Sequence, residues 1–154
     1  MNQLARDFAA AEVGSIFLYT NEAHPGEHYP HHTSMEQKLV HAAALRDRLH
    51  VDRPILVDAL SGDCHRRFGS MPNMTWIFDS RGVPLYKSDW SDADSVRGML
   101  DQLMALPERR RSGVRIAPFQ VERMEWREAD RGRFQKGLEL SGPKAVEEFR
   151  KAFG

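Results

Sequence analysis

Hydrophobic positions follow two periods along the first two thirds of the chain. Leu4, Phe8 and Val13 fall near one helical face, Ala9–Ala11 favour helix, and Gly14 ends it, which predicts a helix over 2–13. Ser15 to Tyr19 is a short, nearly unbroken apolar run, as in a strand buried on both faces of a parallel sheet. Ser34-Met35-Glu36-Gln37 reads as a capping box, and Met35, Leu39, Ala42, Leu45 and Leu49 then recur at helical spacing to about His50. A second apolar strand, 55–60, follows Pro54, and the segment SGDCHRRFG is a loop with one or two helical turns ended by Gly69. Two strands joined by a helix of this length form a parallel βαβ unit.

Thr75 to Phe78 and Val83 to Lys87 alternate around the turn-like Asp79-Ser80-Arg81-Gly82 and predict a hairpin. Ser91-Asp92-Ala93-Asp94 caps a helix with Val96, Met99, Leu100 and Leu103 on one face, stopped at Pro107. The order over 1–107 is therefore that of an α/β, thioredoxin-like fold with an incomplete N-terminus. Met71-Pro72 stands where such proteins place a proline, usually cis, before the penultimate strand.

Beyond Glu108 the pattern loosens into a C-terminal extension, 108–154. Arg109-Arg110-Arg111-Ser112-Gly113 reads as an exposed connector. Residues 114–126 alternate loosely, and Pro118 argues for an edge strand or two short pieces. A last helix opens at Ser141-Gly142-Pro143, with Val146, Phe149 and Phe153 as its buried face. An incomplete sheet leaves an open edge. The segment 113–126 is expected to cover it, within the chain or by exchange in a homodimer, and Trp126, Phe134, Phe149 and Phe153 are expected as core or dimer contacts.

Composition narrows the function classes. Lys+Arg and Asp+Glu both number 22 in 154 residues, so no net field draws nucleic acid or anionic lipid. The three arginines then read as a solvated helix end rather than a phosphate site. No apolar run approaches a bilayer span, and the N-terminus lacks the marks of a signal peptide. The single cysteine, Cys64, excludes an intramolecular disulfide and fits a reducing cytoplasm.

Chemistry concentrates in one stretch, SIFLYTNEAHPGEHYPHHTS. Four of the seven histidines lie within nine residues there, at the C-terminal end of a strand, where α/β proteins place sites. Glu22 and His24 are two apart and point to one side if the backbone is extended; they suit proton transfer, or they order the loop by hydrogen bonds. His24, His28, His31 and His32 with Glu22 and Glu27 offer nitrogen and oxygen ligands for a divalent metal, His24, His28 and His32 being the set favoured. Their spacing matches no structural metal motif. His41 and His50 read as ordinary helix residues. Cys64, flanked by His65, Arg66 and Arg67 near a helix start, is either an activated thiolate or an inert, half-buried cysteine.

Glu22-Ala23-His24-Pro25, then Tyr29-Pro30-His31-His32-Thr33-Ser34-Met35-Glu36, Val57-Asp58, Phe68-Gly69-Ser70-Met71-Pro72 and Trp76-Ile77-Phe78-Asp79 resemble, in order, the iodothyronine deiodinases and their redoxin relatives. The likeness runs from Phe17 to about Leu103. It implies a thioredoxin-fold reductase whose pocket is lined by Glu22, His24 and His32, with His28, His31, Met71, Pro72 and Trp90 around it. Trp90 stands where that family has an arginine. The family's first strand and its cysteine or selenocysteine would lie upstream of Met1, which leaves Cys64 as the internal candidate nucleophile. Three readings remain open: an enzyme acting on a small molecule through Glu22, His24, His32 and Cys64; a metal-dependent enzyme using the 24–32 histidines; and a non-catalytic redoxin-like binding or partner subunit.

Overall fold

A computed structural model describes residues 1–153 and shows a mixed α/β chain. Its elements run α1 (Asn2–Ala9), β1 (Phe17–Tyr19), α2 (Met35–Arg48), β2 (Ile55–Val57), α3 (Asp63–Phe68), β3 (Thr75–Phe78), β4 (Pro84–Ser88), α4 (Ala93–Arg111), α5 (Arg131–Ser141) and α6 (Pro143–Phe153). The strands pair as two two-stranded sheets, β1 with β2 and β3 with β4. The chain divides into two units. One comprises Met1–Gly14 and Asn73–Glu128, the other Ser15–Pro72 and the chain from Ala129 onward.

In the first unit, Leu4 and Phe8 of α1 meet Val96 and Leu100 of α4, with Val13, Ile77 and Tyr86 packed around them. Asp7 and Arg97 pair across the same two helices at 2.5 Å. The hairpin is antiparallel, with Trp76 opposite Lys87 and Ile77 opposite Tyr86. Its turn is set by Asp79, whose Oδ1 accepts the N–H of Arg81 and of Val83, both at 2.9 Å, while Gly82 adopts φ +81°.

In the second unit, β1 and β2 pair in parallel, Phe17 with Ile55 through Tyr19 with Val57, joined through α2. Ser34 is the N-cap of α2, its Oγ accepting from Gln37 N at 3.2 Å, and Gln37 Oε1 reaches back to Thr33 N at 2.8 Å. This is a capping box displaced by one residue at its return bond.

Several expected boundaries move, each for a local reason. α1 ends at Ala9 because Glu12 takes the left-handed conformation (φ +60°), with Glu12 N bonded to Ala9 O and Val13 N to Phe8 O. That is a Schellman closure without its usual glycine. α4 does not stop at Pro107 but continues to Arg111. Its true terminator is Gly113 (φ +83°), where Gly113 N bonds Arg110 O and Val114 N bonds Arg109 O. The arginines are therefore the last helical turn, and a domain boundary drawn at 107/108 falls inside a helix.

No strand forms over 113–126: residues 114–130 carry no regular structure, and Phe119, Met124 and Trp126 are strongly exposed, Trp126 at 92%. Within the chain, then, 113–126 forms no edge-covering strand and Trp126 is no core residue. A helix absent from the sequence pattern, α5, forms instead, because Asp130 caps Arg133 N at 2.8 Å and Leu138 is buried. On α6 the buried residue is Ala145, and Phe153 is exposed.

The buried face of α2 is Lys38, His41 and Ala42, whereas Leu39 and Leu49 are exposed. The helix is rotated away from its apparent apolar stripe, and its inward face is partly polar. Among the described residues, no helix is long and apolar enough to cross a membrane.

Candidate functional site

β1 ends in Tyr19, and the next residues leave the extended conformation, bending at Ala23 and His24. The bend separates the two residues that an extended backbone would have placed side by side. Glu22 turns back towards the strand, where Tyr19 Oη donates to its Oε1. His24 turns the other way and packs edge-on against Phe134 of α5 and Phe149 of α6, at centroid distances of 5.4 and 5.6 Å. His24 is thus an aromatic anchor for the C-terminal helices and leaves the Glu22 cluster.

That anchor is one part of a clamp. His28 N donates to Ser141 O at 3.1 Å, and Gly26 N to Tyr29 O at 3.1 Å. The Glu27 carboxylate accepts Lys144 N at 2.9 and 3.0 Å, satisfying an amide in the first turn of α6. A Cβ on Gly26 would stand 2.7 Å from the Ser141 carbonyl carbon, so the loop crosses the α5–α6 turn where a side chain cannot fit. The Glu27 carboxylate and the backbone of Gly26 and His28 thus tie the loop to α5–α6.

The other half of the loop builds the cluster. His32, just before α2, lies with Nε2 at 3.2 Å from Tyr19 Oη and 3.2 Å from Nδ1 of His41, midway along α2. Glu22 Oε1 is 3.9 Å from His32 Nε2 and 3.7 Å from His41 Nδ1. Tyr29 stands edge-on to His41 at 5.2 Å. Tyr19 and His41 are buried, and the Glu22 side chain, at 19% exposure, is the member most open to solvent. Burial, reinforced by the Glu22 carboxylate, pushes the Tyr19 phenol far up, so it stays a donor. Burial, with His41, Lys38 and His31 acting in the same direction, pushes the His32 imidazolium down and favours the neutral ring.

Tyr19, His41 and Lys38 are the residues that sequence reasoning passed over. Lys38 is 2% exposed, its ammonium donates to Ala59 O at 3.1 Å, and burial lowers its pKa against the opposing Asp58 charge. Polar residues at 38 and 41, three apart and facing the end of a strand, were the available signal.

The remaining expected site residues lie elsewhere. Asp58, at the end of β2, accepts from Cys64 N (3.1 Å) and His65 N (2.9 Å). Burial opposes ionisation of Asp58, but those backbone donors outweigh it and hold the carboxyl low. Burial together with Asp58 pushes the Cys64 thiol up, against the weaker pull of Arg67. Arg66 is engaged with Asp63 and the Ser61 carbonyl. Burial first, and the Asp58 carboxylate second, thus work against a thiolate at Cys64 and favour the inert of its two readings.

His28 and His31 are exposed, and His24, His28 and His32 do not converge. Among the described residues, the group that comes together as metal-ligand types is Glu22, His32 and His41. Met71 is exposed and its carbonyl accepts from His65 Nε2 at 3.0 Å. No peptide bond among the described residues is cis, Met71–Pro72 included. Trp90 belongs to the other unit, under the Arg127 guanidinium at 4.0 Å. An open cleft of about 440 Å³ on α5 and α6, lined by Gln135, Glu139, Pro143 and Val146, has no cluster side chain in its wall. Compared with family models, with curated proteins and with solved structures, the chain matches none.

Proposed function

We propose that the chain is a deiodinase-related, thioredoxin-like domain that acts on a small molecule, with Glu22 and His32 as acid–base and orienting groups at the end of β1. One observation carries this reading: Tyr19, Glu22, His32 and His41 form a continuous hydrogen-bonded group in which the carboxylate is the outermost member. A buried phenol that donates to a carboxylate fixes its orientation and leaves its second oxygen for a ligand. His41 does the same for His32, so both outer groups are held from behind. The EAHP and Tyr-Pro-His-His series, the parallel β1–β2 pair through α2 and the following antiparallel hairpin support the family and the thioredoxin-like fold together.

Within this reading His24 holds the loop, and Cys64, with its raised pKa, is left out of the chemistry. The test is titration of ¹⁵N-labelled protein with a panel of halogenated phenols. Amides of Tyr19, Glu22, His32 and His41 should shift together, and Glu22→Gln and His32→Ala should abolish the response while circular dichroism stays unchanged. Binding that maps away from these four residues, or survives both substitutions, refutes the reading.

A further inference from the structure

Glu22 Oε1, His32 Nε2 and His41 Nδ1 bring three lone-pair atoms to one point, with edges of 3.2, 3.7 and 3.9 Å. Ligands about 2.0–2.1 Å from one tetrahedral ion lie roughly 3.3–3.4 Å from each other. The three atoms therefore form one face of such a polyhedron, to within about half an ångström. Proton accounting points the same way. His32 Nε2 has two neighbours, Tyr19 Oη and His41 Nδ1, both at 3.2 Å, and a single ring proton serves one of them. A carboxylate contributes no proton at all, so acceptor atoms outnumber the hydrogens between them.

The three residues come from three separate pieces of chain: the loop after β1, the approach to α2, and α2 itself. Tyr19 Oη donates to the carboxylate from outside, the arrangement that orients a metal ligand. The enclosure is tight: the His32 side chain is 5% exposed and that of His41 9%, and the Tyr29 ring closes one side.

We propose that Glu22, His32 and His41 form a binding site for a divalent transition-metal ion of the zinc class, with Tyr19 positioning the carboxylate and a fourth position left for water. Two imidazoles and one carboxylate are the donors that zinc takes in open sites, and they disfavour calcium and magnesium, which prefer oxygen alone. The site uses side chains named in the acid–base reading and does not depend on it. That reading requires no ion, so ion binding and phenol binding succeed or fail separately.

The experiment uses the full chain without a histidine tag, stripped with chelator, exposed to zinc and desalted. Elemental analysis is expected to find about one equivalent. Competition against a chromophoric chelator is expected to show affinity reduced at least about 100-fold in Glu22→Gln and His41→Gln, and by roughly 10-fold in Tyr19→Phe. The double substitution His28→Ala with His31→Ala, at exposed histidines, should leave stoichiometry and affinity unchanged. Cobalt(II)-loaded wild-type protein locates the ion without any variant, through paramagnetic shifts centred on Tyr19, His32 and His41. Retention below about a tenth of an equivalent by the wild type overturns the site, because a working site rebinds its ion. Cobalt shifts centred on His28 and His31, or affinity lost with those two, overturn it equally.

Discussion

Replacing Gly26 by alanine places a methyl group against the backbone of the α5–α6 turn. The new carbon would stand 2.7 Å from the Ser141 carbonyl carbon and 3.1 Å from Ala145 Cβ, and nearer still to the Ser141 oxygen. Carbon atoms rest about 3.5–4.0 Å apart, so the loop and the turn must separate by about 0.8 Å or more. The bonds that cross this contact have little slack. His28 N–Ser141 O is 3.1 Å and the Lys144 N–Glu27 pair is 2.9–3.0 Å, while such bonds fade beyond about 3.2 Å. Losing one or two costs about 0.5–1.5 kcal/mol each, and overpacking of this kind costs about 1–3 kcal/mol in total. Alanine returns roughly 0.4–1 kcal/mol by restricting the unfolded chain. The net is about 1.3 kcal/mol of destabilisation.

For a chain of this size, that loss lowers Tm by about 3–5 °C. Locally, it should speed hydrogen exchange at the His28 and Lys144 amides by about tenfold, since each 1.4 kcal/mol is tenfold. Gly137→Ala is the matched control. It lies inside α5 with nothing within 4 Å of the added carbon, and there alanine should stabilise by about 0.5–1 kcal/mol. A Gly26→Ala protein as stable as wild type, with His28 and Lys144 amides equally protected, would show that the loop is not clamped by the C-terminal helices.

Three further expectations rest on separate observations. The Ser95 backbone N–H and hydroxyl hold the Asp92 N-cap carboxyl below its ordinary 3.8. Its contribution to α4 is therefore complete above that pH and is lost as pH falls through the lower native value. Asp92→Ala should cost about 1 kcal/mol at neutral pH, and the urea midpoints of variant and wild type should converge in acid; a constant gap would exclude the cap as its source. Glu12 (φ +60°) and His50 (φ +49°) are non-glycine residues in the left-handed region. Glycine at either position should raise stability by up to about 1 kcal/mol in thermal melts, and a loss at both would contradict the closure geometry. Burial and Asp58 push the Cys64 thiol up from its ordinary 9.0, so alkylation should accelerate only at still higher pH. An inflection below about 8 would return Cys64 to the list of nucleophiles.

The elements legible in the chain are those whose letters agree with their surroundings. The Asp79–Gly82 turn and the Ser34 and Asp92 caps were readable because local chemistry and final environment coincide there. The apolar runs gave the β1–β2 pair but not its burial, since Ile16 and Leu56 are exposed and β2 ends at Val57. At the end of α4 two signals compete, Pro107 and Gly113. A proline removes one bond near the end of a helix, whereas a left-handed glycine satisfies two carbonyls, and the second effect decided the terminus. Segment 114–130 fails for the opposite reason. Its loose alternation has no partner strand, and an apolar alternation without a ladder remains coil.

The site was half legible on the same principle. Glu22 and His32 stood out because they lie in a polar loop, where an acid and an imidazole are conspicuous. Tyr19 and His41 were hidden inside elements read for hydrophobicity alone: one as the last letter of an apolar strand, the other as a polar residue off the stripe of a helix. Yet burial selects positions by geometry, and a helix face keeps its i, i+3, i+4 spacing whether it is filled with leucine or with groups that satisfy one another. Lys38, His41 and Ala42 obey that spacing while Leu39 and Leu49 face solvent. Polar residues on such a face are tolerable only when something opposite pairs with them, and for His41 that partner is the acid loop after β1. The rotated face of α2 and the closed cluster are therefore one fact, and a substitution that removes Glu22 must be felt at His41 before it is felt in any reaction.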